Sequence, residues 1–153
     1  MGTYTAQVIP SKILKDLLEN NWDTLQGNVP IPEIIEVNVP EEEYRKEVSE
    51  KGLIAIRADV GGERETLRNA WAYKDIKWEI LLDLWVTKNR QRLYDLLYVV
   101  RGICHSNLHN SSVTQFQVLR YLSFVELTTE FTNIWRGTIR VSLESAGIPL
   151  DKI

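Results

Sequence analysis

The sequence predicts an α+β fold, a mostly antiparallel sheet of about five strands with two helices packed on one face. Three observations carry this. Two segments repeat apolar residues at helical spacing, others alternate apolar and polar residues with a period of two, and the strand-like segments come in groups rather than alternating with helices. The order along the chain reads helix, strand, strand, strand, helix, strand, strand.

Ser11 stands where its hydroxyl would cap a first helix, and Ile13, Leu14, Leu17, Leu18 and Trp22 then share one face. Gly27 ends that helix, and Pro30 and Pro32 prevent its resumption. Residues 32–39 read as a strand with Ile35, Val37 and Val39 on one side and Glu36 and Asn38 on the other, closed by Pro40. Gly52 opens a second strand, in which Ile54, Ile56, Ala58 and Val60 alternate with Ala55, Arg57 and Asp59. Gly61-Gly62 is expected to break it and to leave residues 61–74 as a polar loop.

The strongest pattern follows. Ile76, Trp78, Ile80, Leu82, Leu84 and Val86 are apolar at period two, with Lys77, Glu79 and Asp83 opposite, as in a long central strand. Thr87 or Asn89 then caps a second helix with Leu93, Leu96, Leu97, Val100, Ile103 and Cys104 along its buried stripe, and residues 107–112 stop it. In residues 117–127, Leu119, Tyr121, Val125 and Leu127 fall on one face and Leu122 and Phe124 on the other. Trp135, Ile139, Val141 and Leu143 alternate with Arg136, Thr138, Arg140 and Ser142 in a last strand, joined to the previous one by a hairpin near Thr129-Glu130. A single domain therefore spans residues 1–153, with its core over about 11–145 and a short tail at 146–153 that is loose or used in contacts.

Composition narrows the function. With 18 basic and 21 acidic side chains the net charge is -3, which argues against wrapping nucleic acid, a task that needs a basic face. The single cysteine, Cys104, excludes an internal disulfide framework. It is adjacent to His105, but neighbouring helical residues point about 100° apart, so Cys104 reads as a small buried hydrophobe rather than a nucleophile. His105 and His109 lack a third metal ligand, Gly61-Gly62 lacks the lysine of a phosphate-binding loop, and no pair of carboxylates stands out for hydrolysis. The sequence thus points to no enzyme, no cofactor and no metal. The N-terminus has no secretory pattern and no apolar run is long enough to span a bilayer, so the expected compartment is a reducing interior, or a particle packaged from one, with no membrane partner.

Charge and aromatics carry what functional signal there is. Acidic residues concentrate in Glu41-Glu42-Glu43, Glu47 and Glu50, read either as a solvated run or as an electrostatic handle for a neighbouring subunit. Lys88, Arg90 and Arg92 form the densest basic cluster, and Arg57, Arg64, Arg68, Arg136 and Arg140 add positive charge elsewhere, the basis of a nucleic-acid-binding alternative. Five tryptophans are many for this length. Trp22 and Trp78 belong to apolar stripes, whereas Trp85 lies opposite Trp78, and Trp71 and Tyr73 follow a polar loop with no stripe to bury them. Large aromatics without a core position are enriched at protein–protein contacts.

The stretch WEILLDLWVTKNRQRLYDLLYVVRGIC, residues 78–104, resembles the middle of the tail-terminator and tail-completion proteins of tailed viruses, in which a long strand leads directly into a helix. The flanking order of elements extends the resemblance over residues 11–145. It implies a structural virion protein, assembled in the host cytoplasm as a ring, typically a hexamer, at the head-proximal end of the tail. That ring would cap the tail tube and join it to the head, with the tail tube protein and neck or connector proteins as partners and DNA passing through its lumen. A neck or connector protein is the alternative within the same class. The loop at residues 61–73 would be an arm toward a neighbour, and Arg64, Arg68, Trp71, Tyr73, Trp85, Arg136 and Arg140 are the expected contact residues.

Overall fold

The computed structural model describes residues 9–25, 29–37, 51–68, 73–129 and 132–149. Its elements follow in the order α1 (Pro10–Leu25), β1 (Glu33–Glu36), β2 (Leu53–Arg68), β3 (Tyr73–Thr87), α2 (Gln91–Ser106), the single turn α3 (Ser111–Thr114), β4 (Val118–Leu127) and β5 (Ile134–Pro149). The described strands form one sheet in the order β1-β2-β3-β5-β4, parallel only between β1 and β2. The α+β class and the element order match the sequence reading. One turn of helix, α3, lies where a loop was expected.

The apolar side of β3 decides the layering. Ile80, Leu82, Leu84 and Val86 are fully buried and meet Leu14, Leu17, Leu18 and Trp22 of α1 and Leu93, Leu96, Val100, Ile103 and Cys104 of α2 in one core. Each fully buried Leu or Ile contributes about 1.5–3 kcal/mol, so this single layer holds both helices to the sheet. Trp22 also donates its indole N–H to the Val29 carbonyl at 2.9 Å, which ties the end of α1 to the approach to β1. Trp78 and Trp135 pack against the same core and are partly buried.

Helix starts differ in detail from the expectation. Pro10 occupies the first helical position of α1, where its missing N–H costs nothing. Ser11 is therefore inside the helix, and its hydroxyl donates to Glu36 at 2.7 Å, tying α1 to β1 instead of capping. At α2 the Asn89 carboxamide does accept the Arg92 N–H at 3.2 Å.

Three strands differ from the expected pattern. First, β2 does not stop at Gly61-Gly62 but runs to Arg68, paired with β3 as far as Tyr73. The register shifts between Arg57 and Gly62, so the glycines lie beside a bulge, a feature that bends a strand without ending it. Second, residues 146–149 are not loose, because Ile148 and Pro149 pair with Lys74 and Tyr73. Third, a register shift between Tyr121 and Ser123 in β4 changes the alternation at Leu122. Leu119, Tyr121 and Phe124 accordingly face the helices, and Val125, expected to share the face of Leu119, is exposed on the other side.

Two glycines sit where a side chain would not fit. Gly52 has φ +88°, and a Cβ there would press on the Trp85 carbonyl. Gly137 lies under the Phe124 ring, which a Cβ would strike.

Candidate functional site

With both helices on one side, the opposite face of the sheet is the second surface that the fold creates. Cross-strand register places Leu53, Ala55, Arg57, Arg64 and Arg68 of β2 on it, beside Trp85, Asp83, Leu81, Lys77 and Tyr73 of β3. Arg136, Thr138 and Arg140 of β5 complete it. Six of the seven contact positions expected from sequence therefore share one face, Arg68 by its backbone position opposite Tyr73. The seventh, Trp71, lies outside the described residues, as does the acidic run at residues 41–50.

The face has three zones. At one end Val37, Leu53, Ala55 and Trp85 form a small apolar cluster flanked by Ile35 and Ile134. Ile35 and Val37 thus belong to this face, while Ile34 points into the main core beside Ile54. Trp85 is only 2% exposed, so it is an anchor of this cluster rather than the exposed contact aromatic that alternation suggested. The reason is its cross-strand neighbour Leu53, which gives the outer face an apolar site that one strand's pattern does not reveal.

In the middle zone Asp83 is 1% exposed and charged groups surround it. Thr138 donates to its Oδ1 at 2.9 Å, Arg57 approaches Oδ2 at 3.5 Å and Arg136 at 3.9 Å. The Arg136 guanidinium also lies 4.6 Å from the centre of the Trp85 ring, a cation–π contact that joins this zone to the apolar one. Arg140 reaches Glu79 at 3.9 Å on the next turn of the pleat. The arginines at 136 and 140 were expected at contacts; Arg136 is largely engaged within the chain, whereas Arg140 is half exposed.

The third zone is the far end of the β2–β3 hairpin, an arm beyond the bulge that also pairs with the end of β5. Tyr73 is 40% exposed here and Leu67, on the other face of the arm, 43%. A shallow cleft on the outer side is lined by Arg64, Lys77, Arg120, Asp75 and Glu144. Burial is the largest single influence on Glu144 and would raise its pKa. Hydrogen bonds from Arg120 and Ser142, with the charges of Arg120 and Lys77, outweigh it and hold the carboxyl below its ordinary value.

The groups considered for chemistry are placed otherwise. Cys104 is buried in the core and burial pushes its thiol up to about 12, so no thiolate is available to His105. His105 is exposed and stacks edge-on against Tyr121, with ring centres 5.8 Å apart. In the basic cluster at the start of α2, both guanidinium arms of Arg90 bind Glu126 at 2.7 Å, and Arg92 donates to the Thr87 carbonyl at 2.8 Å. Those two cations are committed to holding α2 against the sheet. Among the described residues, no group of three or more metal-ligating side chains is gathered and no helix is long and apolar enough to cross a membrane.

No family model and no curated protein matches the chain by sequence. The fold does have a counterpart. This chain folds like a chain of a virion. One similar structure is the virion of a native gene transfer agent particle, matched with a TM-score of 0.58 over 90% of this chain and 94% of that one. Sequence identity between the two is 8%, so what they share is the fold.

Proposed function

We propose that this chain is a structural component of a virion or virion-like particle, acting as one subunit of a ring at the head-proximal end of the tail. There it would cap the tail tube and join it to the head. The observation that supports a virion component is the fold match, which runs over nearly the full length of both chains rather than over a shared motif, while the place at the tail rests on the resemblance of residues 78–104.

Two features of the chain support it. The outer face spreads the expected contact positions over a broad sheet surface with an arm, an arrangement suited to packing against other subunits. The single cysteine, Cys104, is sealed in the core as the sequence reading expected, which favours a structural role over a catalytic one. The partners in this reading are further copies of the chain, the tail tube protein and the neck proteins, with DNA passing through the lumen.

The native mass tests it. A ring subunit is expected to form a discrete multiple of 17.7 kDa, each contact burying on the order of 1,600 Å² as stable interfaces do. A chain that stays at 17.7 kDa at every concentration and is absent from assembled particles contradicts the reading.

A further inference from the structure

Resting on that reading, we propose that the outer cleft of the arm is a docking site for a second copy of this chain, entered by the neighbour's acidic stretch at residues 41–50.

Arg64 of β2 lies directly opposite Lys77 of β3, and like charges opposite one another destabilise a sheet. Lys77 in turn lies opposite Glu144 of β5, whose carboxylate Arg120 binds at 2.9 Å and Ser142 at 3.1 Å. The other carboxylate of the cleft, Asp75, accepts the Gly147 N–H at 2.9 Å. Three cations therefore share a cleft whose two carboxylates already have partners, and Arg64 is exposed without an ion pair among the described residues.

A row of this kind is stabilised by an anion brought from outside. The chain carries a matching one, since residues 41–50 hold five glutamates against only Arg45 and Lys46. Charge complementarity of this sort fixes register and partner choice between subunits.

The test uses the full chain in two variants, Arg64→Glu with Lys77→Glu, and Glu41→Lys with Glu42→Lys and Glu43→Lys. Each alone is expected to weaken self-assembly, measured by sedimentation, by on the order of tenfold in dissociation constant, more at low salt than at high. Mixing the two is expected to restore assembly, because the reversed charges meet across the contact. That rescue also guards against a variant that merely misfolds.

Unchanged assembly of both variants overturns the proposal while leaving the ring reading standing, whereas a native chain that never assembles overturns both. Loss of DNA retention in the arginine–lysine variant with unchanged mass assigns the cleft to nucleic acid and overturns it. Rescue within one chain carrying all five changes, without rescue on mixing, assigns the contact to the chain's own acidic stretch and also overturns it.

Discussion

Asp83 holds the outer face together. Its carboxylate, 1% exposed, is bound by Thr138 and lies within 3.9 Å of two guanidinium groups. Removing one member of such a group leaves buried charge behind, so Asp83→Ala is expected to cost on the order of 3 kcal/mol in denaturant unfolding. Glu126 makes the complementary case on the helix side. Hydrogen bonds from Arg90 and Tyr94 hold its carboxyl down to about 2 from an ordinary 4.5. A depressed carboxylate stabilises the fold above its unfolded value and ceases to as the pH falls through its folded value. The native chain is therefore expected to be more heat-stable than Glu126→Gln near neutral pH, with the difference closing as the pH falls from 4.5 to about 2. Gly137 supplies a steric test, since Gly137→Ala would drive a methyl group into the Phe124 ring and is expected to cost about 1–3 kcal/mol, the range for overpacking.

At the scale of elements, the sequence exposes whatever has one apolar face and hides whatever is set by a partner strand. The β3 stripe from Ile76 to Val86 and the α1 and α2 stripes were readable because a single core demands them. The arm was not, because residues 62–68 carry no apolar alternation and pair only because β3 extends beside them. The same holds for Ile148 and Pro149, placed by Lys74 and Tyr73, and for Trp85, buried by Leu53 from the next strand. In β4, one added residue at Leu122 changes the face of all that follows, and period-two reading cannot anticipate a bulge. The positions expected at contacts were legible only as residue types, and it is register that gathers six of the seven onto one face. The two halves of the hairpin also differ in support, since residues 53–57 are backed by the core and Glu63, Arg64, Glu65, Thr66 and Leu67 are exposed. Amide hydrogen exchange is expected to be faster in residues 62–68 than in residues 53–57 by at least about tenfold, as local opening follows the density of buried contacts.

For the whole molecule, the helices close one side of the sheet, and the other side holds a small buried apolar cluster, a buried charge cluster and an arm with three cations against two carboxylates. Its fold is shared with a chain of a gene transfer agent virion at 8% sequence identity. The most direct test is electron microscopy of purified particles from a host that carries this chain, with the chain labelled by gold. Label is expected at one position, the head-proximal end of the tail. Particles that are complete and bear no label, or label scattered over the capsid, would contradict it.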